Sequence, residues 1–334
     1  MRDTRATPAD HPVPADHAAS AGHAVPADHA VPAGGPGPGG LPPGVGPTAG
    51  RPLLPRTGAA LAAAGAALAV GALGALLVLA PHGLRASADA GAPTVPYAHV
   101  LLPALVAVAL VRLLPPRAPV LSPVVRDARR VLLGTAGLLA CTVVFPVAVA
   151  LTGVGDRPEY HLVKLVLVVA VPALVVAVTR GGLERAWPRG AWRWWAPAVV
   201  VLGWTALAQA APWVAHPRYD DVPVDLLVTA AVATAVTAGV GEELLYRVWL
   251  QTRLEALLGR WGGIAVATLA FALLHVGTRQ GQGPVVEVGA ALVVQGLGFG
   301  LVAGYLWSRY RNPWLLVALH VLANGYGVLV VLLG

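Results

Sequence analysis

The sequence predicts an all-α, polytopic helical membrane protein. Three observations carry this: 57% of the 334 residues are hydrophobic against 12% charged; apolar runs of spanning length recur from residue 58 onward; and arginines crowd every second connection between those runs. A bilayer core of about 30 Å needs roughly 20 apolar residues per helix, and a soluble chain does not carry so much apolar material with so little charge. The basic excess, 23 Lys+Arg against 16 Asp+Glu, sits in short connections and follows topology. It makes no nucleic-acid patch. The single cysteine, Cys141, lies in an apolar run, so neither a disulfide framework nor a Cys-ligated metal is available.

Residues 1–57 hold no spanning run and repeat six-residue units with His11, His17, His23 and His29 in register. Such a tail buries no core and reads as disordered and cytoplasmic, with weak metal binding as the minor alternative. It lacks the pattern of a cleaved signal peptide. Nine candidate spans follow, at 58–80, 98–114, 131–153, 162–179, 196–214, 224–250, 262–278, 286–307 and 313–333. Segment 58–223 is the N-terminal set of membrane helices and 224–333 the functional core.

The tail and the second, fourth, sixth and eighth connections carry two to five arginines each, among them Arg51, Arg56, Arg126, Arg130, Arg180, Arg185, Arg309 and Arg311. The others carry one each: Arg85, Arg157, Arg218 and Arg279. The positive-inside rule then puts the N-terminus in the cytoplasm and the C-terminus outside. Trp187, Trp192, Trp194, Trp195, Trp261, Trp307 and Trp314 are expected in an aromatic belt at the interfaces. Gly296, Gly300 and Gly304, four residues apart, predict a close-packing helix face. The only lysine, Lys164, lies near the start of a span, where its stem is expected to snorkel toward the interface.

A charge inside a membrane helix is expensive and rarely present without a function or a partner. The sixth span concentrates three: Glu242, Glu243 and Arg247. Consecutive helical residues diverge by about 100°, so the two acids face different ways. Glu243 and Arg247, four apart, can pair, which leaves Glu242 without a cation on its own helix and suited to general-base work. His275 on the seventh span, and His320 and Asn324 one turn apart on the ninth, could surround the same point. At 1.5 Å per residue, His275 lies about 20 Å and Asn324 about 17 Å from the inner ends of their spans. Glu242 reaches that depth only if the sixth helix continues to around Leu258, so a long sixth helix is predicted, its inner half lining a cavity open to the cytoplasm.

At these residues the sequence resembles a known family. Glu242-Glu243-Leu244-Leu245-Tyr246-Arg247, Phe271-Ala272-Leu273-Leu274-His275 and His320-Val321-Leu322-Ala323-Asn324 look like the EExxxR, FxxxH and HxxxN motifs of the intramembrane CAAX-prenyl-protease and bacteriocin-processing family, in the family's order. The resemblance covers about residues 224–333 and implies an intramembrane endopeptidase acting on a membrane-associated protein or peptide. It implies that Glu242 with His275 activates a water, that His320 and Asn324 stabilise the oxyanion, and that Glu243 with Arg247 holds the helix geometry. Glu242, His275 and His320 would suffice as zinc ligands, but no HExxH spacing supports a metal, and the reading favours no cofactor.

Competing signals are weaker. Gly153-Val154-Gly155-Asp156 and Tyr219-Asp220 spell aspartyl-protease signatures in reversed order, in outer connections. Ser87, Ser122 and Ser308 fall in connections or at span ends, so no serine nucleophile is available. Two other readings stay open: a non-catalytic immunity or scaffold protein, and a proton-coupled transporter, the latter without an inverted pair of broken spans.

Overall fold

The computed structural model describes residues 50–85, 94–114, 123–155, 157–184, 195–214, 219, 221–276 and 283–333. Residues 1–49 of the N-terminal tail, with its His repeat, and Trp187, Trp192, Trp194, Ser87, Ser122, Asp156, Asp220 and Arg279 lie outside the described residues.

Each predicted span has a helix. Six are long and apolar enough to cross a membrane: α1 Pro55–Leu79, α3 Ala128–Thr152, α4 Glu159–Val178, α6 Val224–Leu258, α8 Pro284–Tyr310 and α9 Pro313–Leu333. Three are shorter: α2 Tyr97–Leu113, α5 Trp195–Ala210 and α7 Arg260–Leu274. Two-residue ladders tie the connections: β1 Leu84–Arg85 pairs with β2 Thr94–Val95, and β3 Val124–Val125 with β4 Leu183–Glu184. This is an all-α multi-pass membrane protein. Exposed leucines and valines along α1, α3, α4 and α6 suit helices that face lipid.

The second and fourth connections meet in the β3–β4 ladder, reinforced by the Arg126–Glu184 ion pair at 2.8 Å. The backbone N–H groups of Leu53 and Leu54, just before α1, donate to Ala256 and Leu257 at the end of α6. The arginine-rich connections therefore gather at one end of the bundle, as alternating passage requires.

α6 runs to Leu258 and turns at Gly259, whose φ of +80° suits a residue without a side chain. Its 35 residues make it the long sixth helix that the depth argument demanded. Among the described residues, the C-terminal half of α6 is packed where it faces α1 and α7. Leu250, Gln251, Leu254, Ala256 and Leu257 are buried among neighbouring helices, because Gly58 and Gly263 let α1 and α7 approach Leu258 and Glu255 at backbone distance. A cavity of about 310 Å³ lies between α1, α7 and α8. Two wide π-helical stretches, Ala235–Glu242 and Leu244–Gln251, replace the ordinary turns of α6 around the acidic pair. Further π-helical stretches lie at Leu165–Ala170, Ala206–Ala210 and Ala291–Gly300, so wide turns are shared by several helices of the bundle.

Two further expectations change. Trp195, Trp261 and Trp314 are exposed as belt residues should be, but Trp307 is buried and its indole donates to Thr252 Oγ1 at 3.0 Å. It belongs to the α6–α8 contact, where its N–H finds a partner that lipid would not supply. The glycine face on α8 holds: Gly296, Gly300 and Gly304 lie against Thr268, Ala272 and Ile264 of α7.

Candidate active site

Glu242 and Glu243 point in different directions, as consecutive residues on one helix must, and each meets a different set of partners. Glu243 is buried with Arg247 Nε 3.6 Å from its Oε2. Its other oxygen accepts from His320 Nδ1 at 2.7 Å. The Arg247 guanidinium lies 4.8 Å above the Phe271 ring, a cation–π contact in a desolvated site. So Glu243 does more than brace its own helix. It joins α6 to α9 and fixes the imidazole of His320, whose ring also packs at a tilt against Phe299, centroids 4.7 Å apart.

Glu242 is equally buried, but its cation comes from elsewhere in the chain. Lys164 Nζ on α4 lies 2.5 Å from Glu242 Oε1, and the lysine is buried rather than snorkelling. A buried carboxylate and a buried ammonium each carry a large desolvation cost, and pairing them offsets part of both. The four charges Lys164, Arg247, Glu242 and Glu243 sum to zero. Oε2 of Glu242 is turned to His275 Nε2, 4.0 Å away. That distance is too long for a direct hydrogen bond.

His275 is not inside a span as expected. α7 ends at Leu274, after about 22 Å of helix, and His275 takes the terminal position with its backbone N–H bonded to Ala272 at 3.0 Å. The last carbonyls of a helix lack partners within it. The His275 side chain supplies one: Nδ1 meets Phe271 O at 2.9 Å. A carbonyl oxygen only accepts, so Nδ1 carries the hydrogen, and the neutral ring presents its Nε2 lone pair toward Glu242. Phe271 in turn packs against Tyr246 and Phe299, ring centroids 5.4 and 5.7 Å apart, and keeps water from the cluster's flank.

His320 is buried on α9, and Asn324, one turn further on, is exposed. All the residues singled out from the sequence therefore come together except Asn324, for which the structure gives position on the helix and no polar contact with the cluster. Lys164 was missed as a site residue, although a lone lysine in a chain of arginines, within an apolar run, was a usable signal.

Zinc does not fit this donor set. Glu242 already holds an ammonium on Oε1, so a divalent ion would sit beside a like charge. Among the described residues no three His, Cys, Asp or Glu side chains group as metal ligands.

Comparison with known families agrees with the geometry. Residues 224–326 match the model of the family described as Type II CAAX prenyl endopeptidase Rce1-like. Over this segment, 103 of the 334 residues, the chain is similar to an Rce1-like domain. The segment covers α6 to most of α9 and so contains Glu242, Glu243, Arg247, His275, His320 and Asn324, while Lys164 lies outside it. No curated protein and no solved structure matches the chain.

Proposed function

We propose that the cluster hydrolyses a peptide bond of a membrane-associated protein or peptide by a metal-free glutamate mechanism, with a prenylated C-terminal CAAX segment as the substrate class. The observation that carries this reading is the pair Glu242 Oε2 and His275 Nε2, two acceptors held 4.0 Å apart. A water placed between them finds an acceptor for each of its hydrogens and is polarised as a nucleophile. Its oxygen attacks the scissile carbonyl carbon, its proton goes to Glu242, and Glu242 returns that proton to the leaving amine as the C–N bond breaks.

The oxyanion needs donors. In its imidazolium form His320 donates through Nε2 while Glu243, bonded to Nδ1, balances the charge. Asn324, one turn away, supplies the second donor once the substrate draws its amide in. The arginine bias orients the chain with its N-terminus in the cytoplasm and its C-terminus outside.

The test is cleavage of a fluorogenic farnesylated CAAX peptide by the detergent-purified full chain. Glu242→Gln keeps the shape and removes the base, and is expected to lower kcat by about 10²- to 10⁴-fold. Treatment with EDTA is expected to leave the wild-type rate unchanged. Wild-type cleavage by Glu242→Gln overturns the mechanism, and loss on chelation with recovery on zinc overturns its metal-free form.

A further inference from the structure

Arginine is this chain's cation at 22 positions (23 Lys+Arg less the single lysine), and at Glu243 it is Arg247 that pairs. At Glu242 the partner is instead Lys164, from a different helix. The two cations do different things to a carboxylate. A guanidinium is a planar fork that engages both oxygens at once, whereas an ammonium is a compact point donor that can hold one oxygen and leave the other. Lys164 holds Oε1 at 2.5 Å, and Oε2 is the atom that faces His275.

The surroundings fix the ammonium. α4 and α6 approach so closely that a side chain at Gly241 would meet Val169 at 2.8 Å, which brings the lysine stem alongside the neighbouring Glu242. The ammonium also lies 5.5 Å from the Tyr160 ring. One turn before Lys164, His161 Nδ1 meets Thr237 Oγ1 of α6 at 3.2 Å, a second tie between the same two helices. The α4–α6 contact thus sets Lys164 beside Glu242 and Tyr160, and its reach decides which carboxylate oxygen is engaged.

We infer that Lys164 is a positioning residue: its single-point contact pins Oε1 of Glu242 so that Oε2 stays turned to His275. This rests on the proteolytic reading above. A cation needed only for charge balance would be replaced without loss by arginine, whereas a positioning ammonium would not, because the guanidinium fork would draw Oε2 away from the histidine.

The experiment compares Lys164→Arg and Lys164→Met with wild type and Glu242→Gln on the farnesylated peptide, with folded protein quantified by size-exclusion chromatography. Lys164→Arg is expected to accumulate normally, with kcat at least about tenfold lower and KM within threefold. Lys164→Met is expected to show the same split wherever it folds. Wild-type kcat in either variant overturns the inference, and so does failure of both to accumulate, which makes Lys164 a folding residue. If Glu242→Gln cleaves like wild type, the proteolytic reading fails instead. Infrared difference spectra, wild type minus Glu242→Gln, then decide on Lys164 alone: the Glu242 carboxylate band shifts in Lys164→Arg if the contact is as described, and an unmoved band refutes it.

Discussion

α6 carries two buried acidic clusters about 20 Å apart along its axis, and they are built to opposite ends. Near its C-terminal end, Glu255 has both oxygens engaged, one by Gln251 Nε2 at 2.8 Å and the other by Arg311. The Gln251 amide also donates to Gly304 O at 2.7 Å, and Arg311 lies over the Trp307 ring at 5.3 Å. The Gln251–Gly304 and Glu255–Arg311 contacts tie α6 to α8 and the residue that follows it. At Glu242 one oxygen is engaged by Lys164 and the other is held at a distance from a histidine. A buried charge by itself does not mark a reactive centre. What distinguishes one is a carboxylate oxygen kept unsaturated beside a second acceptor.

The sharpest way to break this contrast is at Arg247. Arg247→Ala leaves Glu243 buried beside His320 alone, at a cost of about 3–5 kcal/mol, so thermal unfolding in detergent is expected to show a strongly destabilised protein. Normal stability with selective loss of cleavage would move Arg247 into the catalytic set. Asn324→Ala comes next. An oxyanion donor acts in the transition state, so kcat is expected to fall about 10²- to 10³-fold, roughly 2.7–4 kcal/mol, with KM little changed. A rise in KM at constant kcat would make Asn324 a substrate-binding residue.

The smallest effect is expected at the sewn cluster. Glu255→Gln removes the charge opposite Arg311 and is expected to cost about 1–3 kcal/mol of stability, read from the unfolding midpoint, while kcat per folded molecule stays at the wild-type value. Loss of kcat there would mean that the two clusters communicate and that the division of labour along α6 is wrong.

Much of this was legible in the sequence, and the rest fails for identifiable reasons. Apolar run length located the nine apolar helices of the described residues because bilayer thickness constrains the length of a span. The depth argument placed the end of α6 at Leu258 because three residues on three helices had to meet. Pairings within one helix, such as Glu243 with Arg247, follow from spacing. Pairings across the fold do not: Lys164 and Glu242 are 78 residues apart in sequence, and nothing local to either names the other. His320 pairs with Glu243 rather than projecting alone, for the same reason. Trp307 misled because an indole at the end of an apolar run reads identically whether it anchors to headgroups or bonds to Thr252. The early end of α7 was hidden because the run stays apolar to Val276.

The wide turns of α6 have a consequence for how this segment tolerates insertion and deletion. A π-helical turn holds more residues than an α-helical one, so the Ala235–Gln251 stretch carries surplus chain relative to a regular helix. Losing one residue between Ala238 and Val240 would let the helix relax to regular winding, with the segments on either side staying nearly in phase, because the wide turn already absorbs the surplus residue. Thr237, which His161 grips, would keep its place against α4. Chains that share the motif letters but differ by one residue in this stretch would therefore carry the same chemistry on a helix of different local winding, and motif spelling alone would not distinguish them.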